Sequence, residues 1–120
     1  LNNIYRMIRW GVQREPTWTD GAEVTAPAAA ATLVTKTVST GKTGRVFGVH
    51  IGVDEANQFQ LLSDTTVIKR FPLGAAGVIH IVLSVPLADN LVAGKVITIK
   101  NVTAGASGKV YQASLLYDEA

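Results

Sequence analysis

The stretch RVFGVHIGV, residues Arg45 to Val53, decides the fold. Large apolar residues recur at every second position, and a period of two places alternate side chains on opposite faces of a β-strand. One face is predicted to carry Phe47, Val49, Ile51 and Val53, and the other Val46, Gly48, His50 and Gly52. The stretch therefore predicts a strand with one strongly apolar face.

Comparable patterns lie on both sides of this stretch. They predict strands over residues 32–39, 58–63, 65–71, 78–85, 95–102 and 109–117. Gly, Pro, Asp and Asn separate these segments, as in Thr40 to Gly44 and Asp54 to Asn57. Short strands with regular turn signals indicate an antiparallel β-sandwich rather than parallel units with helical crossovers. We expect Val78 to Val85 to be buried on both faces, and Pro86 to Asn90 to form a loop.

Residues 1–31 have a different pattern. Apolar residues recur at helical spacing, with Arg6 and Arg9 on the other side, until Gly11 interrupts. A helix this short is marginal alone in water, and Pro16 and Pro27 break any longer one. We therefore expect residues 1–31 to form an N-terminal arm, partly extended with a short helix, and residues 32–120 to form the sandwich domain.

The arm holds both tryptophans of the chain. Aromatic residues are favoured anchors at protein interfaces. The candidate partner-binding residues are Ile4, Tyr5, Ile8, Trp10 and Trp18. Two arrangements remain open: the arm folds back on its own sandwich, or it crosses to a neighbouring copy or an underlying lattice.

Composition excludes several function classes. The 120 residues are 48% hydrophobic and 17% charged, a poor fit to intrinsic disorder. With no Cys, the chain has no thiol nucleophile and no thiolate metal site. A net charge of +2 is far from the dense basic surface typical of nucleic-acid binding, so we expect no direct nucleic-acid partner. No stretch reaches the roughly 18 consecutive apolar residues of a membrane span, and we expect no membrane partner.

Two segments carry weak signals of chemistry. Ser39 to Thr43, STGKT, ends like a phosphate-binding loop, but Lys36 stands where the first Gly is required and a strand follows instead of a helix. A hairpin turn is the favoured interpretation. Asp54 and Glu55 are adjacent, and adjacent residues near a strand point to opposite faces, so a solvated turn is favoured over an acid-base pair.

His50 and His80 are the only histidines of the chain. Each lies on the less apolar face of a predicted strand, so the two imidazoles could meet in a metal or acid-base site if those strands were neighbours. Two ligands alone bind weakly, and histidines packed at a sheet surface or interface are the favoured interpretation. With no Gly-x-Ser-x-Gly motif either, the sequence predicts no catalytic residue, no cofactor site and no metal site, and thus no enzyme.

The rhythm of strands and turns resembles a known family. The segments that carry the resemblance are Thr37 to Gly44, Val46 to Val53, Phe71-Pro72-Leu73, Val78 to Leu83, Pro86-Leu87 and Gly94 to Ile99. Over residues 32–117 they resemble the small jelly-roll modules of tailed-virus structural proteins, above all capsid decoration, or cement, proteins. The resemblance transfers no functional residue.

This resemblance implies an all-β, antiparallel jelly-roll-like sandwich with an extended N-terminal arm. It also implies a place on the outer capsid surface of a virion, as a homo-oligomer, commonly a trimer, bound to the major capsid protein lattice. The alternative is a carbohydrate-binding jelly-roll module of a viral tail or fibre. Such modules usually present aromatic or polar clusters on loops, and the loops at 40–44, 54–57, 86–94 and 103–108 hold no aromatic residue. A cupin-like metalloenzyme at the histidines ranks third.

Overall fold

The computed structural model describes residues 16–120, which form β-strands and no helix. The strands are β1 (Thr17–Asp20), β2 (Val24–Thr25), β3 (Thr32–Thr37), β4 (Thr43–Val53), β5 (Asn57–Ser63), β6 (Thr66–Leu73), β7 (Gly77–Val82), β8 (Ala88–Val92), β9 (Val96–Asn101) and β10 (Val110–Glu119).

The strands form two antiparallel sheets. Sheet A has the order β1-β10-β4-β7, with β2 also paired to β10 and β8 also paired to β4, and sheet B has the order β3-β9-β5-β6. Each edge of sheet A thus consists of two short strands in place of one long strand. Most neighbours are not consecutive in sequence, so the chain crosses repeatedly from one sheet to the other. This is the order of a jelly roll, and the predicted all-β sandwich is confirmed.

The core lies between the inner faces of the two sheets. Sheet A contributes side chains from β4 and β10, and sheet B contributes side chains from β5 and β9. The fully buried members include Val49, Ile51, Tyr111, Leu115, Phe59, Leu61, Ile97 and Ile99. Removal of this apolar surface from water is the main stabilising contribution to the sandwich.

The strand β4 departs from strict alternation at one point. Leu116 of β10 lies opposite Gly48, but the next residue, Tyr117, lies opposite Val46, so Phe47 is an extra residue in the ladder. A β-bulge of this kind shifts the facing of the strand by one position. Val46 therefore lies in the core, where it is fully buried, and not on the face of Gly48 as the alternation predicts.

The prediction for Val78 to Val85 is wrong. Strand β7 ends at Val82 and lies at an edge of sheet A, so only one of its faces packs on the core. Ile79 and Ile81 pack against the core, whereas Val78 and Val82 are 59% and 53% exposed. A run of apolar residues does not distinguish a two-sided buried strand from a one-sided strand with an apolar outer face.

Strand β8 occupies part of the predicted loop from Pro86 to Asn90. Its buried residues, Ala88 and Leu91, are three positions apart, so the period of two is broken. Asn90 lies between them with a φ of 54°, a left-handed conformation that Asn tolerates better than most residues. The sequence pattern could not indicate a strand with this local geometry.

The described part of the predicted arm belongs to sheet A. Strands β1 and β2 lie within residues 16–31 and pair with β10 through backbone hydrogen bonds. They supply hydrogen-bond partners to the backbone N–H and C=O groups on one edge of β10, which would otherwise be unpaired. Both strands precede residue 32, where the sequence pattern places the boundary between the arm and the sandwich domain.

Candidate functional site on the outer face of sheet A

Strand register places outward-facing residues of sheet A in rows that cross four strands. The first row contains Trp18, Leu116, Gly48 and Val82. The second, here called the histidine row, contains Asp20, Ser114, His50 and His80. A third, shorter row contains Gln112, Gly52 and Val78. Only Asp20 in these rows carries a permanent charge.

The two histidines meet in the middle of this face. His50 of β4 lies directly opposite His80 of β7, and the two Nδ1 atoms are 3.0 Å apart. The rings meet edge to face, with centroids 5.2 Å apart. One ring must carry its proton on Nδ1 and donate it to Nδ1 of the other, because two unprotonated nitrogens cannot form this bond. The condition stated from sequence, that neighbouring strands would bring the imidazoles together, is met.

Trp18 covers one side of the histidine pair. Its ring centroid lies 5.7 Å from that of His80, three strands away across the sheet, at an interplanar angle of 30°. Trp18 is 40% exposed, whereas every other Phe, Tyr and Trp side chain of residues 16–120 is buried. An amphipathic aromatic ring in this position is available to a partner.

The Ser114 hydroxyl is already committed to other groups. It donates a hydrogen bond to Asp20 Oδ1 at 2.7 Å and accepts one from Gln112 Nε2 at 3.0 Å. A serine nucleophile needs its proton directed to a base such as histidine, and here the proton is directed to the carboxylate. The histidine row therefore contains serine, histidine and aspartate without the hydrogen-bond order of a catalytic triad.

A second polar cluster lies where two loops meet at one end of the sandwich. Tyr111 donates a hydrogen bond to Glu55 Oε2 at 2.7 Å and accepts one from Asn57 Nδ2 at 2.7 Å. Hydrogen bonds from the Ala106 N–H and from Tyr111 hold the pKa of Glu55 below its usual value. Burial raises the pKa of Tyr111. The cluster ties the loop after β4 to the loop before β10, so we assign it a structural role.

The other segments singled out from sequence take structural positions. Residues 39–42 form a tight turn closed by a hydrogen bond from Lys42 N–H to the Ser39 carbonyl, followed by β4. The turn is confirmed, but it is not a hairpin, because β3 and β4 belong to different sheets. Asp54 and Glu55 bind different backbone groups, the N–H of Val110 and that of Ala106. They do not act as a pair.

Of the candidate partner-binding residues, the structure describes only Trp18, on the outer face of sheet A. Ile4, Tyr5, Ile8 and Trp10 lie outside the described residues. Sequence reasoning missed Asp20, Ser114 and Val82 as neighbours of the histidines. The one available signal was the alternation of Gly48, His50 and Gly52, which marks an outer face with little side-chain bulk around a histidine.

Two kinds of feature were not found within residues 16–120. No helix there has the length and hydropathy needed to cross a membrane. No group of three or more His, Cys, Asp and Glu side chains in this part of the chain is arranged to hold a metal ion.

Comparisons with known proteins relate the chain to others by fold. No protein-family model and no curated protein matches the sequence. Among solved structures, PirA gives a TM-score of 0.50 at 13% identity, over 82% of this chain and 91% of that one. A chain of the cyanophage Pam1 capsid asymmetric unit gives 0.49 at 11% identity, over 87% and 86%.

A family two carbohydrate esterase from Clostridium thermocellum, solved in complex with cellohexaose, gives a TM-score of 0.48 at 19% identity. The match covers 82% of this chain but only 26% of the esterase chain. The likeness to PirA shows a shared fold alone, and the two matches with TM-scores below 0.5 establish no closer relation.

Proposed function

We propose that this chain is a viral structural protein, a capsid decoration or cement protein that binds the outer capsid surface and stabilises the shell. The observation that carries the proposal is the apolar outer face of sheet A. Trp18, Val78 and Val82 are all exposed on this face, and exposed Leu83 and Val85 continue from β7. Single exposed apolar residues are ordinary, but several on one face are typical of a protein-binding surface.

The outer face of sheet B supports the proposal by contrast. Register places Thr32, Lys100, Gln60 and Arg70 in one row across its four strands. These side chains are suited to contact with water. A decoration protein needs one face that binds the shell and another that faces solvent, and the two sheets supply this difference.

The N-terminal arm extends the proposed contact. Strand β1 begins at Thr17, so residues 1–15 join the chain at the edge of sheet A that carries Trp18. Ile4, Tyr5, Ile8 and Trp10 would add aromatic and aliphatic contacts to a capsid lattice or to a neighbouring copy in a homotrimer. The proposed role requires no catalytic residue.

The first test measures the mass of the full chain by native mass spectrometry, alone and after mixing with tailed-virus shells stripped of decoration. We expect the mass of an oligomer for the chain alone. After mixing, we expect the chain to sediment together with a shell in ultracentrifugation. A monomer that binds none of the shells would overturn the proposal.

The second test compares two matched substitutions. Val82→Glu places a charge on the outer face of sheet A, and Val96→Glu places one on the outer face of sheet B, where Val96 is also exposed. Val82→Glu should weaken shell binding at least tenfold, about 1.4 kcal/mol, and Val96→Glu should leave it unchanged. Trp10→Ala separates the arm's contribution. Equal binding by both glutamate variants would contradict the assignment of the face.

The second candidate function is carbohydrate binding, as a jelly-roll module of a viral tail or fibre. One observation favours it: Trp18 is an exposed aromatic ring beside hydrogen-bonding groups of the histidine row. A glycan array probed with the wild type and with Trp18→Ala distinguishes the two candidates. A hit that the variant loses would favour this function over shell binding.

A further inference from the structure

We propose that His50 and His80 form a binding site for a divalent transition-metal ion, Zn²⁺ or Cu²⁺, held by both Nδ1 atoms. Imidazole nitrogen is a preferred ligand of both ions. The proposal is independent of the proposed function, since it depends only on the geometry of the pair.

The distance between the two nitrogens matches the requirement of such an ion. Zn–N bonds of about 2.0–2.1 Å in tetrahedral geometry place two ligand nitrogens about 3.3 Å apart. Square-planar Cu²⁺ with bonds of about 2 Å places adjacent nitrogens about 2.8 Å apart. The observed separation of 3.0 Å lies between these values. An ion can thus replace the shared proton through side-chain adjustment, without a shift of the strands.

The surroundings favour a cation. The pair is fixed by direct cross-strand register between β4 and β7, and His80 is packed against Trp18. The three outer rows of sheet A contain no Lys or Arg, and Asp20 supplies a negative charge in the histidine row. His80 is exposed, so water or donors of a partner molecule can fill the remaining coordination positions.

The proton balance of binding is simple. In the neutral pair, one ring carries its proton on Nδ1 and donates it to the other. When the ion binds both Nδ1 atoms, that proton moves to Nε2 of the same ring through solvent. Both rings remain neutral, each with a proton on Nε2, and no net proton is released.

The chain suits a direct test because His50 and His80 are its only histidines and it has no cysteine. Titration calorimetry with ZnCl₂ and CuCl₂ at pH 7.5 should give one ion per chain for the wild type. His50→Gln and His80→Gln should each weaken binding at least tenfold, because each removes half of the chelate. Val96→Ala, which removes no donor atom and lies on the outer face of sheet B, should bind as the wild type does. Wild-type binding no tighter than that of either histidine variant would overturn the proposal.

Two spectroscopic readouts locate the ion. In a Trp10→Phe background, Trp18 is the only tryptophan, and its fluorescence should be quenched by Cu²⁺ in step with the calorimetric titration. Nitrogen NMR of the Zn²⁺ complex should show both rings protonated on Nε2. A spectrum in which either ring keeps its proton on Nδ1, or in which the Nδ1 shift of either ring stays at its ion-free value, would overturn chelation by the pair.

Discussion

The two sheets share one core, but their outer faces differ in side-chain composition. On sheet A, the outward positions of β4 and β7 hold Gly48, His50, Val78, His80 and Val82. On sheet B, the outward positions of β5 and β9 are mostly polar or charged: Gln58, Gln60, Leu62, Val96, Thr98 and Lys100.

This difference indicates which surfaces of a β-sandwich are free to carry a function. Both inner faces must supply the apolar surface that stabilises the fold, so their composition is set by packing. The outer faces are free of that demand, and their chemistry reflects what each face contacts. The outer face of sheet B carries mostly polar and charged side chains, with Leu62 and Thr98 buried among them, whereas that of sheet A exposes Trp18, Val78 and Val82.

The largest expected effect concerns one ion pair in each sheet. In sheet A, Arg45 Nη2 lies 2.7 Å from Asp118 Oδ2, and the Asp118 side chain is only 2% exposed. Arg45→Met should lower the free energy of unfolding by about 2–3 kcal/mol, because it removes the cation beside a buried carboxylate, with a discount for the part of Arg45 that water reaches.

Lys95→Met is the matched control at the end of sheet B. Lys95 Nζ lies 3.2 Å from Asp64 Oδ2, and both side chains are more than 40% exposed, at 43% and 44%. Its loss should cost less than about 1 kcal/mol. Urea denaturation measures both values. Equal costs would show that the charges of sheet A are as well solvated as those of sheet B.

The next effect concerns two glycines of β4. A Cβ at Gly48 would collide with the backbone carbonyl of Ile81 in β7, whereas a Cβ at Gly52 meets nothing within 4 Å. Gly48→Ala should destabilise the protein by about 1–3 kcal/mol, since two strands must separate, and Gly52→Ala should change stability by less than about 0.5 kcal/mol.

Thermal unfolding followed by circular dichroism gives both values. Gly48→Ala should also widen the His50–His80 separation and weaken the cross-strand contact seen by NMR, which Gly52→Ala should leave intact. A neutral Gly48→Ala variant would mean that β7 is free to move from β4, and the outer face of sheet A would then not be a fixed surface.

The smallest effect is on the pH dependence of stability. It is compared for two carboxylates, one at the end of each sheet. The Val96 N–H and Lys95 hold the pKa of Asp64 below its usual 3.8. Burial opposes ionisation of Glu119, but hydrogen bonds from Ser39 outweigh it and leave the pKa below the usual 4.5. A lowered folded-state pKa stabilises the protein above the unfolded-state pKa, and this contribution is lost as pH falls through the folded-state value.

Asp64→Asn and Glu119→Gln should therefore each flatten the loss of stability below about pH 4.5, and leave its slope near neutral pH unchanged. Denaturant midpoints measured from pH 2.5 to 7 test this. If the denaturant midpoints of both variants fall below pH 4.5 as steeply as those of the wild type, other carboxylates cause the loss of stability in acid.

Sequence predicted the sandwich because its central strands obey a simple period. The alternation of Arg45 to Val53 predicts β4, but it does not indicate the bulge at Phe47, which depends on pairing with β10. The sequence pattern does not indicate the edge strands β1, β2 and β8 of sheet A. Strands β1 and β8 are short, and they owe their conformation to the backbone of a neighbouring strand.

The site was predictable only in part, for the same reason. The sequence predicts that His50 and His80 meet only if their strands are neighbours, and strand order is a property of the whole chain. Trp18 was selected as an interface residue because it lies outside the patterned core, and the structure adds its place beside His80. The role of residues 1–15 stays a prediction.

The divided edges of sheet A have a consequence for solubility. An exposed edge strand is a template on which another chain can add a strand, and long regular edges promote aggregation. Here the edges are β1 with β2 and β7 with β8, and none of these strands exceeds six residues. Sheet A can thus expose its apolar face at high local concentration and still resist the addition of further strands at its own edges.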